Sequence, residues 1–130
     1  MSPDSAPLRF LVVDDNEDIR DLLVHMVEHL GHSAWTAADG VEAVEVLAEE
    51  RFDYMLLDLT MPRMSGGEVV RWLQEHPDRG DGLRVVVVSA WGDQRAHLKE
   101  PGVHAVLPKP LRAQQLRDLI SGMPPVTKSW

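Results

Sequence analysis

Apolar residues along this chain alternate between two rhythms. Short, nearly unbroken apolar runs stand at residues 8–13, 33–36, 54–57, 83–88 and 103–107, each of strand length. The first, third and fourth are almost wholly apolar, as strands are when both faces of a sheet are covered. Helical spacing fills the intervals. Ile19, Leu22, Leu23, Met26, Val27 and Leu30 share one helix face, opened by Asn16 with acids in the first turn and stopped by Gly31. Val41, Val44, Leu47 and Ala48 make a second face behind the cap candidate Asp39. Ser65 with Glu68 reads as a capping box that opens a third helix carrying Val69, Val70 and Leu73. Leu116, Leu119 and Ile120 mark a last helix after Pro110. Strands that alternate with helices require right-handed crossovers, which predicts an α/β fold with a (βα)5 doubly wound parallel sheet in three layers. The interval from 92 to 102 is the weak one: only Ala96 and Leu98 are usefully apolar, and Pro101 ends helical continuation. A short or mobile fourth helix is expected there.

Composition narrows the class. The chain has 130 residues, 44% of them hydrophobic, which fits one self-sufficient domain over residues 8–122. Residues 1–7 read as a disordered N-terminal segment, and residues 123–130 as a tail or linker stub, Met123-Pro124-Pro125 suiting a linker. Thirteen basic against 21 acidic residues give a formal charge of −8, and the basic ones form no stripe, so direct nucleic-acid binding is not expected. The absence of cysteine excludes disulfides and thiolate metal sites. No apolar run reaches bilayer-spanning length, and the polar start lacks a signal-peptide core, so a soluble cytoplasmic protein is expected.

Candidate chemistry gathers at the ends of the apolar runs. Asp14 and Asp15 follow the first, Asp58 the third, Ser89 the fourth and Lys109 the fifth. In a parallel sheet the carboxyl ends of strands share one edge, so these side chains can meet. Three carboxylates there would repel unless a cation neutralised them, and a hard divalent ion such as Mg²⁺ takes one or two carboxylates plus phosphate and water. Taken singly, Asp15 as a helix cap and Asp58 as a turn former are ordinary structural residues. The addition of a hydroxyl and an ammonium, which can hold phosphoryl oxygens, changes the balance. His25 and His29 lie one turn apart with no third ligand, and read as a solvated helix face. Trp35 and Trp72 read as packing or partner contacts. Gly66-Gly67 lacks the spacing of a nucleotide loop.

The set Val12-Val13-Asp14-Asp15-Asn16, Leu56-Leu57-Asp58-Leu59-Thr60-Met61-Pro62, Gly66, Ser89-Ala90 and Lys109-Pro110 closely resembles the receiver domain of two-component response regulators. The resemblance covers residues 8–122 and implies a flavodoxin-like sheet of strand order 2-1-3-4-5. It implies that Asp58 is the phosphoacceptor in a phosphorelay, receiving a phosphoryl group from a sensor histidine kinase, a phosphotransfer protein or a small phosphodonor. Asp14, Asp15, Asp58 and the backbone carbonyl of Thr60 would hold Mg²⁺, or Mn²⁺ in its place. Lys109 would bind the phosphoryl group, the Lys109-Pro110 bond would be cis, and Ser89 would be the switch hydroxyl. The protein would be no enzyme beyond slow self-catalysed phosphorylation and dephosphorylation. Its output would be a reshaped surface read by a downstream protein or an attached output domain, and homodimerisation is compatible with it. Where the family carries Tyr or Phe three residues before its lysine, Val106 stands here. Ser89 and Lys109 are 109 − 89 = 20 positions apart, a shorter interval than in chemotaxis-type receivers. Thr60 and Trp91 occupy positions that tune phosphoryl lifetime in relatives. Two other readings stand beside this one: a receiver-like binding module that works without phosphate, and an aspartyl phosphohydrolase, whose usual second Asp is replaced by Thr60. If the Trp91 indole hinders attacking water, Trp91→Ala shortens the lifetime of the phosphorylated protein, as a dephosphorylation time course will measure.

Overall fold

The computed structural model describes residues 7–58, 61, 63–89, 102–109 and 111–121, with Ser89 described by its backbone alone. Five strands form one parallel sheet: β1 (Arg9–Val13), β2 (Ser33–Ala37), β3 (Tyr54–Asp58), β4 (Arg84–Ser89) and β5 (Val103–Pro108). Their order is β2-β1-β3-β4-β5, all neighbours parallel, which is the doubly wound order expected. The helices are α1 (Glu17–His29), α2 (Gly40–Glu49), α3 (Gly66–Glu75), a single turn α4 (Pro77–Gly80) and α5 (Ala113–Ile120). Turn α4 had no apolar periodicity to announce it; Pro77 at its first position supplies a φ already set for helix. Residues 92–101 of the expected fourth helix, the terminal segments 1–6 and 122–130, Thr60, Trp91 and the Lys109-Pro110 bond lie outside the described residues.

Local sequence explains where the helices start and stop. Asn16 accepts the Ile19 amide at 3.1 Å, Asp39 accepts that of Glu42 at 2.9 Å, and Ser65 exchanges both bonds of a capping box with Glu68. Each such cap contributes about 1 kcal/mol. Gly31, at φ 93°, ends α1 in a Schellman arrangement: His32 N donates to Val27 O at 3.2 Å and Gly31 N to Glu28 O at 3.0 Å. Only a glycine adopts that backbone without strain.

Strand alternation sorts the core into two layers. Leu11, Val13, Met55, Leu57, Val85 and Val87 face α2 and α3, while Phe10, Val12, Tyr54, Leu56, Val86 and Val88 face α1 and α5. With both faces covered, a strand buries nearly every side chain, and β3 is buried along its whole length.

The amino end of the sheet is closed by polar side chains. Asp53 accepts the Arg9 amide at 2.8 Å and returns its own amide to Arg9 O at 2.8 Å. The Arg9 guanidinium lies 4.5 Å from the Trp35 ring centroid and 5.2 Å from that of Phe52, and pairs with Glu50 at 2.8 Å. The buried Tyr54 hydroxyl accepts from Arg84 at 2.9 Å and donates to Leu119 O at 3.4 Å, its ring stacked on Phe10. His32 Nδ1 accepts the Leu8 amide at 2.9 Å, which requires a neutral ring with its proton on Nε2. Burial holds the His32 pKa below its ordinary value, opposed in part by the Asp53 charge. A base whose folded pKa is depressed contributes stability that is present above its unfolded pKa and lost as pH falls through the folded one. The stability advantage of wild type over His32→Gln is therefore expected to shrink from pH 7.5 to below about pH 6, measured by urea denaturation at each pH.

Candidate functional site

At the carboxyl edge the strand order reverses direction between β1 and β3, which opens a crevice there. Asp14 and Asp15 follow β1, Asp58 ends β3, and Lys109 follows β5. One oxygen from each of the three carboxylates lies within 4.8 Å of the others, the one such potential metal-binding group among the described residues. Asp14 and Asp58 are 2% and 5% exposed, whereas Asp15 is exposed, so the cluster has a buried floor and an open rim. Burial of that kind distinguishes it from an ordinary acidic surface patch.

Lys109 stands beside the acids. Its Nζ donates to Asp58 Oδ1 at 3.0 Å and lies 3.4 Å from Asp14 Oδ2. Burial draws the Lys109 pKa down, but the Asp58 bond and the charges of Asp58 and Asp14 outweigh it and hold the pKa above its ordinary value. Lys109 is therefore a permanent cation at physiological pH. Three carboxylates against one ammonium leave a local charge of −2, the complement of a divalent ion, and an all-oxygen donor set suits Mg²⁺ or Mn²⁺.

Backbone ties fix the acids. Asp14 Oδ1 accepts the Asn16 amide at 2.9 Å, Asp14 N donates to Ala37 O at 3.2 Å, and Arg20 Nη1 donates to Asp14 O at 2.8 Å. The cap of α1 is thus Asn16, which leaves the Asp15 carboxylate free to face the cluster. An apolar groove lined by Ile19, Leu22, Leu23, Val88, Leu111 and the stem of Lys109 opens next to the pocket, with Leu22 half exposed.

The other sequence-derived candidates divide clearly. Asp14, Asp15, Asp58 and Lys109 are brought together. The Ser89 backbone ends β4 beside Pro108, while its side chain, Thr60 and Trp91 lie outside the description. Val106 is buried in the core layer that holds Leu57 and Val87. His25 and His29 are exposed on α1, in keeping with a solvated face. Sequence reasoning missed Arg20 and Arg63. The first reaches a backbone carbonyl, which leaves no side-chain pattern, and the second depends on a positive φ that no local motif announced.

The fold and the acidic cluster define a receiver. The model of the response regulator receiver domain matches residues 10–121, and the chain belongs to that family, the receiver domains of two-component response regulators. Among curated proteins it is similar to the response regulator MprA of Mycobacterium sp. (strain KMS), 38% identical over 112 residues, 85% of this chain and 47% of that protein. MprA of Mycobacterium avium (strain 104) is 37% identical over 111 residues, 84% of this chain and 47% of its own length. The chain spans about half the length of the curated relatives it matches. Among solved structures, the chemotaxis response regulator CheY4 of Vibrio cholerae superposes with a TM-score of 0.80 at 26% identity, covering 89% of this chain and 98% of that one. The response regulator TrrA of Thermotoga maritima, solved in complex with Mg(2+)-BeF, gives 0.77 at 26% identity, covering 88% and 96%.

Lys109→Met leaves Asp14 and Asp58 buried without their ammonium. A charged hydrogen bond is worth about 1.5–3 kcal/mol, and the partial exposure of Lys109 trims that, so a loss of about 1–2 kcal/mol is expected in metal-free protein at pH 7. Urea denaturation with and without Mg²⁺ measures it, and Mg²⁺ should recover part of the loss.

Proposed function

We propose that Asp58 is the phosphoacceptor of this receiver and that Asp14, Asp15 and Asp58, with the Thr60 carbonyl, hold a Mg²⁺ or Mn²⁺ ion. The single observation that carries the reading is the Lys109 ammonium 3.0 Å from a nearly buried Asp58 carboxylate inside a three-carboxylate cluster. When bound, the divalent ion supplies charge screening for the transferring phosphoryl group.

The chain's own residues supply the rest of the chemistry. A carboxylate oxygen of Asp58 attacks phosphorus in line, the donor's P–N or P–O bond breaks with its electron pair leaving on the donor, and an acyl phosphate results. Lys109, already placed between Asp58 and Asp14, follows the added charge and pairs with a phosphoryl oxygen. Ser89, at the end of β4, takes the switch hydroxyl role. Val106 is buried without an aromatic ring to swing, so the response is read from another part of the surface than in receivers with the usual aromatic. That shift biases two pre-existing states rather than creating a new one. The protein is a phosphoacceptor with at most slow self-catalysed turnover, and its family sets it apart from the aspartyl phosphohydrolases.

The donor is a sensor histidine kinase or phosphotransfer protein, for which the apolar groove beside Lys109 offers a surface continuous with the pocket. The downstream reader is a protein or an attached output domain. The receiver unit spans residues 8–122. No helix among the described residues is long and apolar enough to cross a membrane; with the acidic, cysteine-free composition, this supports a cytoplasmic setting.

Acetyl phosphate with Mg²⁺ should add one phosphoryl group to wild type and none to Asp58→Asn, read by intact mass. An adduct that persists in Asp58→Asn would move the acceptor elsewhere. No adduct on wild type, together with no binding of beryllofluoride, would favour a binding module that works without phosphate.

A further inference from the structure

The loop that leaves Asp58 is tied to a part of the chain that contributes nothing to the acidic cluster. Met61 is buried in the core, Ser65 caps α3, and between them two ties run back to the turn before α2. Gly40 N donates to Met64 O at 3.1 Å. The Arg63 guanidinium donates to one oxygen of Asp39, Oδ2, from Nε at 2.7 Å and Nη2 at 2.6 Å. The other oxygen of Asp39 accepts the Glu42 amide at 2.9 Å, so this carboxylate is engaged on both sides. A Cβ on Gly40 would overlap the Met64 carbonyl, so loop and turn touch with no room for a side chain.

Arg63 holds its contact at φ 66°, the one non-glycine residue with positive φ among the described residues. That conformation is unfavourable for an L side chain and persists where surrounding structure fixes it. The Arg63 side chain is 62% exposed and that of Asp39 12% exposed, and ion pairs this close to solvent add little to stability. The pair acts together with the Gly40–Met64 bond and the close approach of the two backbones, which jointly fix residues 63 and 64 against residues 39 and 40. The same turn reaches the other acid-bearing segment, since Asp14 N donates to Ala37 O at 3.2 Å. Residues 37–40 thus bridge the end of β1, with Asp14 and Asp15, to the loop that leaves Asp58.

We propose that Asp39 and Arg63 form a positioning clasp that sets the spacing of Asp58 and its loop against Asp14 and Asp15, and thereby the divalent-cation affinity of the pocket. The proposal rests on the phosphoacceptor reading of that pocket. Neither residue reaches the cluster itself; each acts through the loop or the turn it holds.

Two substitutions test the clasp. Asp39→Asn keeps a side chain able to cap α2 and removes the charge. Arg63→Gly removes the guanidinium and relieves the positive φ. Mg²⁺ titrated into each phosphate-free protein by calorimetry is the readout, with thermal unfolding alongside. A purely electrostatic influence splits the pair: loss of the Asp39 charge weakens Mg²⁺ binding, and loss of the Arg63 charge strengthens it. A clasp weakens binding in both, by about fivefold, the limit for a pair worth about 1 kcal/mol, with the double variant no weaker than the worse single and Tm moved by less than about 4 °C. Changes of opposite sign, fully additive losses, or a Kd within about twofold of wild type in either variant would overturn the proposal, whatever happens to Tm. Acetyl phosphate on the wild type separates the two readings. If wild type binds Mg²⁺ yet takes no phosphoryl group, the phosphoacceptor reading fails while the Mg²⁺ affinities still decide the clasp.

Discussion

Carboxylates held almost dry at the edge of a sheet are costly, and the arrangement of this domain follows from the way that cost is met. Two like charges about 4 Å apart repel by roughly 4 kcal/mol at the effective dielectric of a protein surface. Asp14, Asp15 and Asp58 are gathered within about that range, with two of them nearly inaccessible to water. Lys109 offsets part of the repulsion through contacts to Asp58 and Asp14, and amides take up more, the Asn16 amide at Asp14 among them. What remains is an excess of negative charge on oxygen donors spaced so that they could hold a metal ion.

The two ends of the sheet are built on opposite terms. At the amino end, Asp53, Arg9, Tyr54 and Arg84 spend their hydrogen bonds on backbone and on one another. At the carboxyl end the polar side chains converge toward a rim where Asp15 is open to solvent. Strands paired along their length hold the side chains of Asp14, Asp15, Asp58 and Lys109 in register from the ends of three strands.

Most of the architecture was legible in the chain because it rests on periodicity and caps. The apolar runs gave the strands to within a residue or two, and Asn16, Asp39 and Ser65 marked helix starts that the structure confirms. Asp14, Asp58 and Lys109 were legible because each closes an apolar run, and parallel strands deliver run ends to a common edge. Arg63 was not. Its role depends on a left-handed backbone and a contact 24 positions away, neither of which leaves a mark on local spacing. Turn α4 was invisible for a related reason, since it buries no residue and so carries no apolar stripe.

Strand β2 ends the sheet on one side, and among the described residues its outward edge has no neighbouring strand. An unpaired edge is a template on which another chain can add itself. Here the strand is only five residues long, and a bulky indole at Trp35 sits in its middle with the Arg9 cation lodged against the ring and Glu50 beside it. A newcomer strand would have to pack beside this charged aromatic stack over a very short run of backbone. The cluster that closes the amino end of the sheet therefore also crowds its exposed side against the addition of another strand.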